Sequence, residues 1–325
     1  MALRPEPHVP RRVGGDPGPA GPDGIGAGPV LAVGEILWDL LPSGPMLGGA
    51  PFNVLVHLRR LGRSTGMISA VGTDELGVRA LAAVRSLGVG GEWIRASPDV
   101  ATGVVDVRLD PDGALAFVIR SPAAYERVSL DEAEVAAIVA DRPAALVHGT
   151  LALRFDGPRR AIAAIGRAAP DALRVYDVNL RPDAFTAELV DQLIREADVV
   201  KLNDVEVATL AGLFDLPAAP AAAFGRALIE RGRARLVCIT RGAAGAEAVT
   251  ADEHVAVTGH RIAVVDTIGA GDAFTAGLVD GLLAALPLAA VIERANALGA
   301  LVAARAGAIP DWSADDLAPL LARRR

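Results

Sequence analysis

Residues 266–274 read DTIGAGDAF. Two glycines and a second aspartate follow a strand-like run, HRIAVV at 260–265, and open onto an apolar pattern of helical period. Glycines at such a turn let backbone N–H groups at the start of a helix converge on an anion, and the helix dipole adds positive potential at the same place. Asp272 then brings a carboxylate into the first turn. That charge is a handicap in a plain phosphate site, but it suits a base that must accept a proton while a phosphoryl group passes. A hydroxyl could give its proton to Asp272 as the transferred charge settles on the amides of Gly269, Ala270 and Gly271. From the spacing alone, a capped helix behind a glycine turn stays open as the plainer reading. A dinucleotide fingerprint is not met, because Phe274 stands where the third small residue belongs.

Working outward, short β-branched or apolar runs recur as PVLAVGEIL, TGMISAVG, AALVHGT, LRVYDVN, ADVVKLN and RLVCITRG, with HRIAVVDT as the seventh. Helical patterns such as PFNVLVHLRRLG, GVRALAAVRSLG, DEAEVAAIVAD and RRAIAAIGRAA separate most of them. This alternation predicts an α/β fold with a mainly parallel sheet covered on both faces. Residues 100–120 instead read as two alternating strands around a DPDG turn, a β-hairpin appended to the α/β body. A ligand crevice then lies outside the carboxyl ends of the parallel strands, with the hairpin placed to cover it.

Composition narrows the function. The chain has 325 residues, 52% of them hydrophobic, with a net charge of −7 and mean hydropathy of +0.37. Acidic and basic residues are interspersed, so the basic stripe needed for a nucleic-acid backbone is missing and nucleic acid is excluded as a partner. No apolar stretch is long enough to span a bilayer, so no membrane association is expected. The single cysteine, Cys238, sits in the apolar run LVCIT and reads as a buried small hydrophobe; the absence of a disulfide framework suits a cytoplasmic protein. Residues 1–28 are rich in Pro, Gly and charge, without the apolar core of a secretion signal, and read as a disordered tail ahead of one domain at 29–325. The only lysine, Lys201, has no glycine loop before it. This excludes both the Walker A and protein-kinase plans for holding phosphates.

A second constellation covers residues 34–62, GEILWDLLPSGPMLGGAPFNVLVHLRRLG. Asp39 follows a strand, Gly48 and Gly49 allow close backbone approach, and Asn53 opens a helix. A carboxylate, an amide and exposed backbone amides read a row of sugar hydroxyls. An ordinary turn aspartate and a helix-capping asparagine remain the alternative.

Together, DTIGAGDAFTAG and LGGAPFNVLVHLRRLG resemble the two signatures of the PfkB family of carbohydrate kinases, and AVGTDELG, DVNLRP, VKLNDVE and TRGAAG match motifs between them. The resemblance spans about residues 29–315. GEILWDLLP with GGAPFNV and DVNLRPDAF is most similar to the bacterial fructokinase branch. It implies a ribokinase-like three-layer α/β/α sandwich with a small β-sheet lid built from about 37–48 and 100–120, ATP and Mg²⁺ as cofactors with K⁺ as a further candidate, and a homodimer formed through the lid.

Carried over by residue, the resemblance makes Asp272 the catalytic base and the amides of Gly269, Ala270 and Gly271 the anion hole. Asp39, Gly48, Gly49 and Asn53 would hold the sugar, and Arg120 would close over it from the lid, against the plain reading of a solvated strand-end arginine. Asn179 and Arg181 would lie near the phosphates, where Arg181 can neutralise developing charge. Asn203 and Glu206, three apart on one helical face, would hold hydrated Mg²⁺ through Glu206 and water, against the reading of a helix cap with a solvated carboxylate. Thr240, Gly242, Gly245 and Asn296 would line the nucleotide. Asp266, Thr267 and Gly307 would build a monovalent-cation site.

Two departures stand out. Leu55 and Val56 occupy positions that are often small in the family, which reads as packing, and Tyr125 occupies one that is often acidic. His57 and His148 stand apart from other ligand types and read as core or helix-surface histidines. The expected activity is ATP-dependent phosphorylation of a sugar, with fructose first and ribose, 2-keto-3-deoxygluconate, a nucleoside or inositol as the other acceptors. A catalytically silent sugar-binding regulator on the same fold is the alternative from a different class.

Overall fold

The computed structural model describes residues 28–41, 44–109 and 115–322. The Pro/Gly-rich tail, except for residue 28, and the DPDG turn lie outside the described residues. In chain order the strands are β1 (Val30–Val33), β2 (Leu37–Leu41), β3 (Gly44–Gly48), β4 (Thr65–Gly72), β5 (Gly90–Ser97), β6 (Gly103–Leu109), β7 (Leu115–Ile119), β8 (Ala145–His148), β9 (Leu173–Asp177), β10 (Val199–Asn203), β11 (Leu236–Thr240), β12 (Ala246–Val249) and β13 (His254–Val257). The helices are α1 (Ala50–Arg60), α2 (Glu75–Ser86), α3 (Glu132–Ala140), α4 (Asp156–Ala168), α5 (Ala187–Glu196), α6 (Asp204–Phe214), α7 (Ala221–Glu230), α8 (Ala270–Leu283), α9 (Leu288–Ala303) and α10 (Ala314–Ala322).

Nine strands form one sheet in the order β13-β12-β11-β10-β9-β8-β1-β4-β5, parallel from β11 to β5 and antiparallel only at the β12–β13 end. Because side chains alternate across a strand, neighbouring residues enter opposite cores. Val30 and Ala32 pack with Leu55 of α1, Leu278 of α8 and Leu298 of α9. Leu31 and Val33 pack with Ile165 of α4, Leu193 of α5 and Leu210 of α6 on the other face. The strands therefore read as continuous apolar runs, as expected of a sheet covered on both sides, and the three-layer sandwich is the result. Each fully buried aliphatic side chain contributes roughly 1.5–3 kcal/mol to holding these layers together.

A separate four-stranded sheet has the order β3-β2-β6-β7. Its inner side carries Leu37 and Val105, which meet Leu151 and Ala184 from loops at the carboxyl end of the large sheet. Asp39 lies inside β2, paired with Met46 of β3, rather than in a turn after a strand, because the chain breaks at residues 34–36 and starts a new strand. Residues 260–265 do not form a strand. Val264 and Val265 are exposed, and a β-branched run without a neighbouring strand to pair with has nothing to favour a ladder. The edge of the large sheet is supplied instead by the β12–β13 hairpin. Among the described residues, no helix is long and apolar enough to cross a membrane.

Candidate active site

A cleft of about 1720 Å³ runs between the carboxyl ends of the parallel strands and the small sheet. This is well above the few hundred cubic ångströms of a single small-ligand pocket, so it has room for two ligands side by side.

Its floor is the start of α8. Gly269, the N-cap, has φ 75°, and a Cβ there would come within 2.5 Å of the Ala308 backbone. Only glycine combines that conformation with that approach. The turn aims the first amides of α8 into the cleft, and Asp272 follows in the first helical turn. Burial pushes the Asp272 carboxyl up to about 7, with the Asp177 carboxylate adding to the rise and the Asn53 hydrogen bond opposing it. Asn53 Nδ2 donates to Asp272 Oδ2 at 2.8 Å, a contact across 219 residues of sequence. Asn53 is not a cap: α1 starts at Ala50 behind Gly49, and Asn53 is buried inside the first turn.

Gly49 has φ 119°, and a Cβ there would meet the Glu35 carbonyl at 2.3 Å, so this glycine turn can close only without a side chain. Glu35 Oε1 accepts the Ala50 N–H, while Glu35 Oε2 and Asn53 Oδ1 are buried without a partner among the described residues. Orphaned acceptors beside a cleft fit a ligand that brings several hydroxyl donors. Burial raises the Glu35 and Asp39 carboxyls, opposed in each case by Arg181. Asp39, Gly49 and Asn53 line this end of the cleft, together with Arg154, whose guanidinium stacks on Phe155. Gly48 adjoins Asp39 rather than the cleft; a Cβ on it would lie 3.2 Å from Asp39 Oδ2.

At the other end the cleft is lined by Asn203, Thr240, Gly242, Gly245 and Asn296, with Thr267 at its edge. Asn179, at φ 40°, accepts from Arg181 Nη1 at 2.8 Å, which steadies that guanidinium in the cleft lining. Asn203 and Glu206 form a reciprocal capping box at the start of α6. Glu206 is buried, not solvated, and its two oxygens accept the Leu180 and Asn203 N–H groups at 2.8 Å each. Asp266 likewise accepts from Ile268 N and Gly307 N at 3.0 Å each, which ties Gly307 to the 266–268 turn; Thr267 and Ile268 of that turn line the cleft, whereas Asp266 and Gly307 lie behind it. Arg120 points elsewhere: it is exposed and makes a two-point ion pair with Asp106 on the adjacent strand.

Several residues in or beneath the site escaped the motif reading. Lys201 lines the floor with its Nζ 3.2 Å from the position a Gly271 Cβ would take. It is buried and bonded to both Asp177 oxygens, at 3.0 and 3.1 Å. Burial alone would lower the ammonium, but the Asp177, Glu206 and Asp272 carboxylates hold it raised. Thr275 closes the network with a 2.7 Å bond to Asp177. The signal for Lys201 and Glu35 was present in the sequence as a charged residue inside an apolar run, VVKLN and AVGEIL. Tyr125 lies wholly buried under Gly103 of the small sheet, and Leu55 and Val56 are core residues. Cys238 is buried, with its thiol pushed up to about 12 by burial, as expected of an inert core cysteine.

A sequence model of the pfkB family carbohydrate kinases matches residues 46–315. The chain belongs to this family. It is 32% identical over 311 residues to a probable fructokinase-6, chloroplastic, from Arabidopsis thaliana, covering 86% of this chain and 79% of the plant protein. Its fold superposes with a TM-score of 0.78 on a Ribokinase II candidate from E. coli in complex with ATP and Mg²⁺, at 23% identity, covering 91% of this chain and all of that one. A fructokinase double mutant from Vibrio cholerae O395, in a form with fructose, ADP and potassium ion bound, is 25% identical with a TM-score of 0.75, covering 90% of this chain and 98% of that one.

Proposed function

We propose that the chain is an ATP-dependent fructokinase that converts fructose to fructose 6-phosphate. One observation carries the chemistry. Asp272, held by Asn53 and raised to about 7, sits at the mouth of α8 beside the Gly269, Ala270 and Gly271 amides. A base near neutrality next to oriented N–H donors is what a hydroxyl needs to attack a phosphorus centre.

In this reading the sugar lies between the small sheet and α1, with hydroxyls on Asp39, Asn53, Glu35 and the backbone at Gly49. ATP lies along Asn203, Thr240, Gly242, Gly245 and Asn296, its phosphates pointing at the start of α8. The sugar O–H gives its proton to Asp272, the new O–P bond forms to the γ-phosphorus, and the bond to the β-phosphate oxygen breaks. The α8 amides and the Arg181 guanidinium take up the charge on the transferred group and on the departing ADP. The Arg181 guanidinium opposes the raised carboxyls of Glu35, Asp39 and Asp272, which supports a position for it between sugar and phosphates.

Among the described residues there is no group of three or more His, Cys, Asp or Glu that could cage a metal. Both Glu206 oxygens already accept backbone N–H groups, which fits an Mg²⁺ held on ATP phosphates and waters. Glu206 would act on it only through water, and the ion would supply charge neutralisation between the phosphates. The loop tied by Asp266 and Gly307 is the proposed place for K⁺, with backbone carbonyls as donors. The small sheet is the proposed lid and homodimer surface, and the fit of Leu37 and Val105 over the cleft mouth supports the lid; in this reading Arg120 steadies the lid strand through Asp106.

The test is ATP consumption with Mg²⁺, with and without K⁺, across fructose, ribose, 2-keto-3-deoxygluconate, inositol and adenosine. Fructose preference is the expected result. Turnover of a different acceptor overturns the sugar assignment, and sugar binding without turnover of any acceptor would favour a silent regulator. Light scattering of the purified protein reads the dimer.

A further inference from the structure

His57 is completely buried in α1, where an aliphatic residue would fill the same space without a polar cost. Both ring nitrogens are engaged. Trp312 Nε1–H donates to His57 Nδ1 at 3.0 Å, and His57 Nε2 lies 3.0 Å from the Ala308 carbonyl oxygen. An indole nitrogen can only donate, so Nδ1 must accept, and the proton must sit on Nε2, which donates to Ala308. Trp312 thus fixes the tautomer.

Ala308 is the residue against which Gly269 packs so closely that a Cβ would lie 2.5 Å from its Cα and its oxygen. The same segment is held further along by Arg60, which donates to Pro310 O at 2.6 Å and to Asp311 Oδ1 at 2.9 Å. Asn53, His57 and Arg60 follow i, i+4, i+7 spacing, so they share one face of α1. One end of that face touches the carboxyl of Asp272, and the rest grips the strap that backs the glycine turn.

We propose that His57, with its proton placed by Trp312, is a positioning residue for phosphoryl transfer: through the Ala308 carbonyl it sets the Gly269–Gly271 amides relative to Asp272. This inference rests on the kinase reading above. A directed polar pair fixes a distance that an apolar contact would leave loose, and small displacements of reacting groups are costly in rate.

The test uses three variants of the full chain. Trp312→Phe keeps the ring and removes only the N–H, His57→Leu removes both ring bonds, and His57→Gln can still donate to Ala308 and accept from Trp312. With an acceptor that the wild type turns over, Trp312→Phe and His57→Leu lower kcat about tenfold, while KM for sugar and for ATP stays within about twofold. His57→Gln restores most of the loss. Unchanged kcat in Trp312→Phe, or a loss in which KM and kcat move together, overturns the proposal. If His57→Leu does not fold, Trp312→Phe and His57→Gln carry the test. If the wild type turns over no sugar, the kinase reading fails while the positioning is still measured by ¹⁵N spectra. Wild type then shows His57 protonated on Nε2, and the Gly269 and Gly271 amide signals move in Trp312→Phe. Unmoved glycine signals, or a proton on Nδ1, overturn it.

Discussion

Asp272→Asn separates the cost of burying the carboxylate from its proposed use as the base. The carboxyl rises from 3.8 in the unfolded chain to about 7 in the folded one, mainly through burial. Each pH unit is worth about 1.4 kcal/mol, so keeping the carboxylate charged in the fold costs up to ~4 kcal/mol at high pH. Asp272 keeps some contact with solvent in the cleft, which makes that figure a ceiling. The sign follows from linkage. A folded pKa above the unfolded value gives stability that is complete below 3.8, declines as pH rises, and is gone above about 7. Asparagine cannot ionise and still accepts the Asn53 N–H through its carbonyl. The variant should therefore gain stability relative to wild type by ~2–3 kcal/mol more at about pH 8 than at about pH 5. Its kcat should fall about 100-fold or more, the scale of a lost general base, with sugar and ATP binding retained. Urea unfolding at the two pH values, together with turnover at saturating fructose and ATP, reads both effects. An equal stability change at both pH values would refute the buried-charge argument, and wild-type turnover would refute the base.

Other residues give independent checks. Asp39→Ala should raise the fructose KM about tenfold or more while leaving the ATP KM unchanged, because the carboxylate lines only the small-sheet end of the cleft; an unchanged fructose KM removes it from the sugar site. Lys201→Met leaves Asp177 buried without its ion-pair partner and should cost about 3–5 kcal/mol in urea unfolding, beyond any effect on turnover; a cost below ~1 kcal/mol means the pair contributes little. His57 and His148 are both lowered from 6.5 to about 4 by burial, so their contribution to stability is present above 6.5 and is lost as pH falls toward 4. The urea midpoint should drop across that window, and His148→Leu should flatten the slope; a flat wild-type profile contradicts the assignment.

Much of the fold was legible because its signals are local. Apolar strands alternating with helical periods require a sheet with two covered faces, and the large sheet has them. The glycine turn before Asp272 was legible for the same reason: φ 75° at Gly269 is a property of one residue and its neighbours. Residues 260–265 were misread because β propensity needs a partner strand, and the neighbouring position is taken by β13. The family resemblance put Asp39 in a lid strand at about 37–48, and β2 and β3 occupy that stretch; the run PVLAVGEIL alone reads as one strand ending before Asp39, because the pairing with β3 belongs to a second sheet that the run does not announce.

By itself, the sequence determined the sandwich, the family motifs and the pairing of a glycine turn with an acid. Tertiary structure decided that Asp272 is buried at the mouth of α8, where its carboxyl is pushed up to about 7. It set Asn53 on Asp272, placed the single lysine under the glycine turn, spent the Glu206 oxygens on backbone amides, and turned Arg120 toward Asp106. Backbone conformation is set within a few residues, whereas charge state and hydrogen-bond partnership depend on burial and on groups hundreds of residues away that only folding brings into contact.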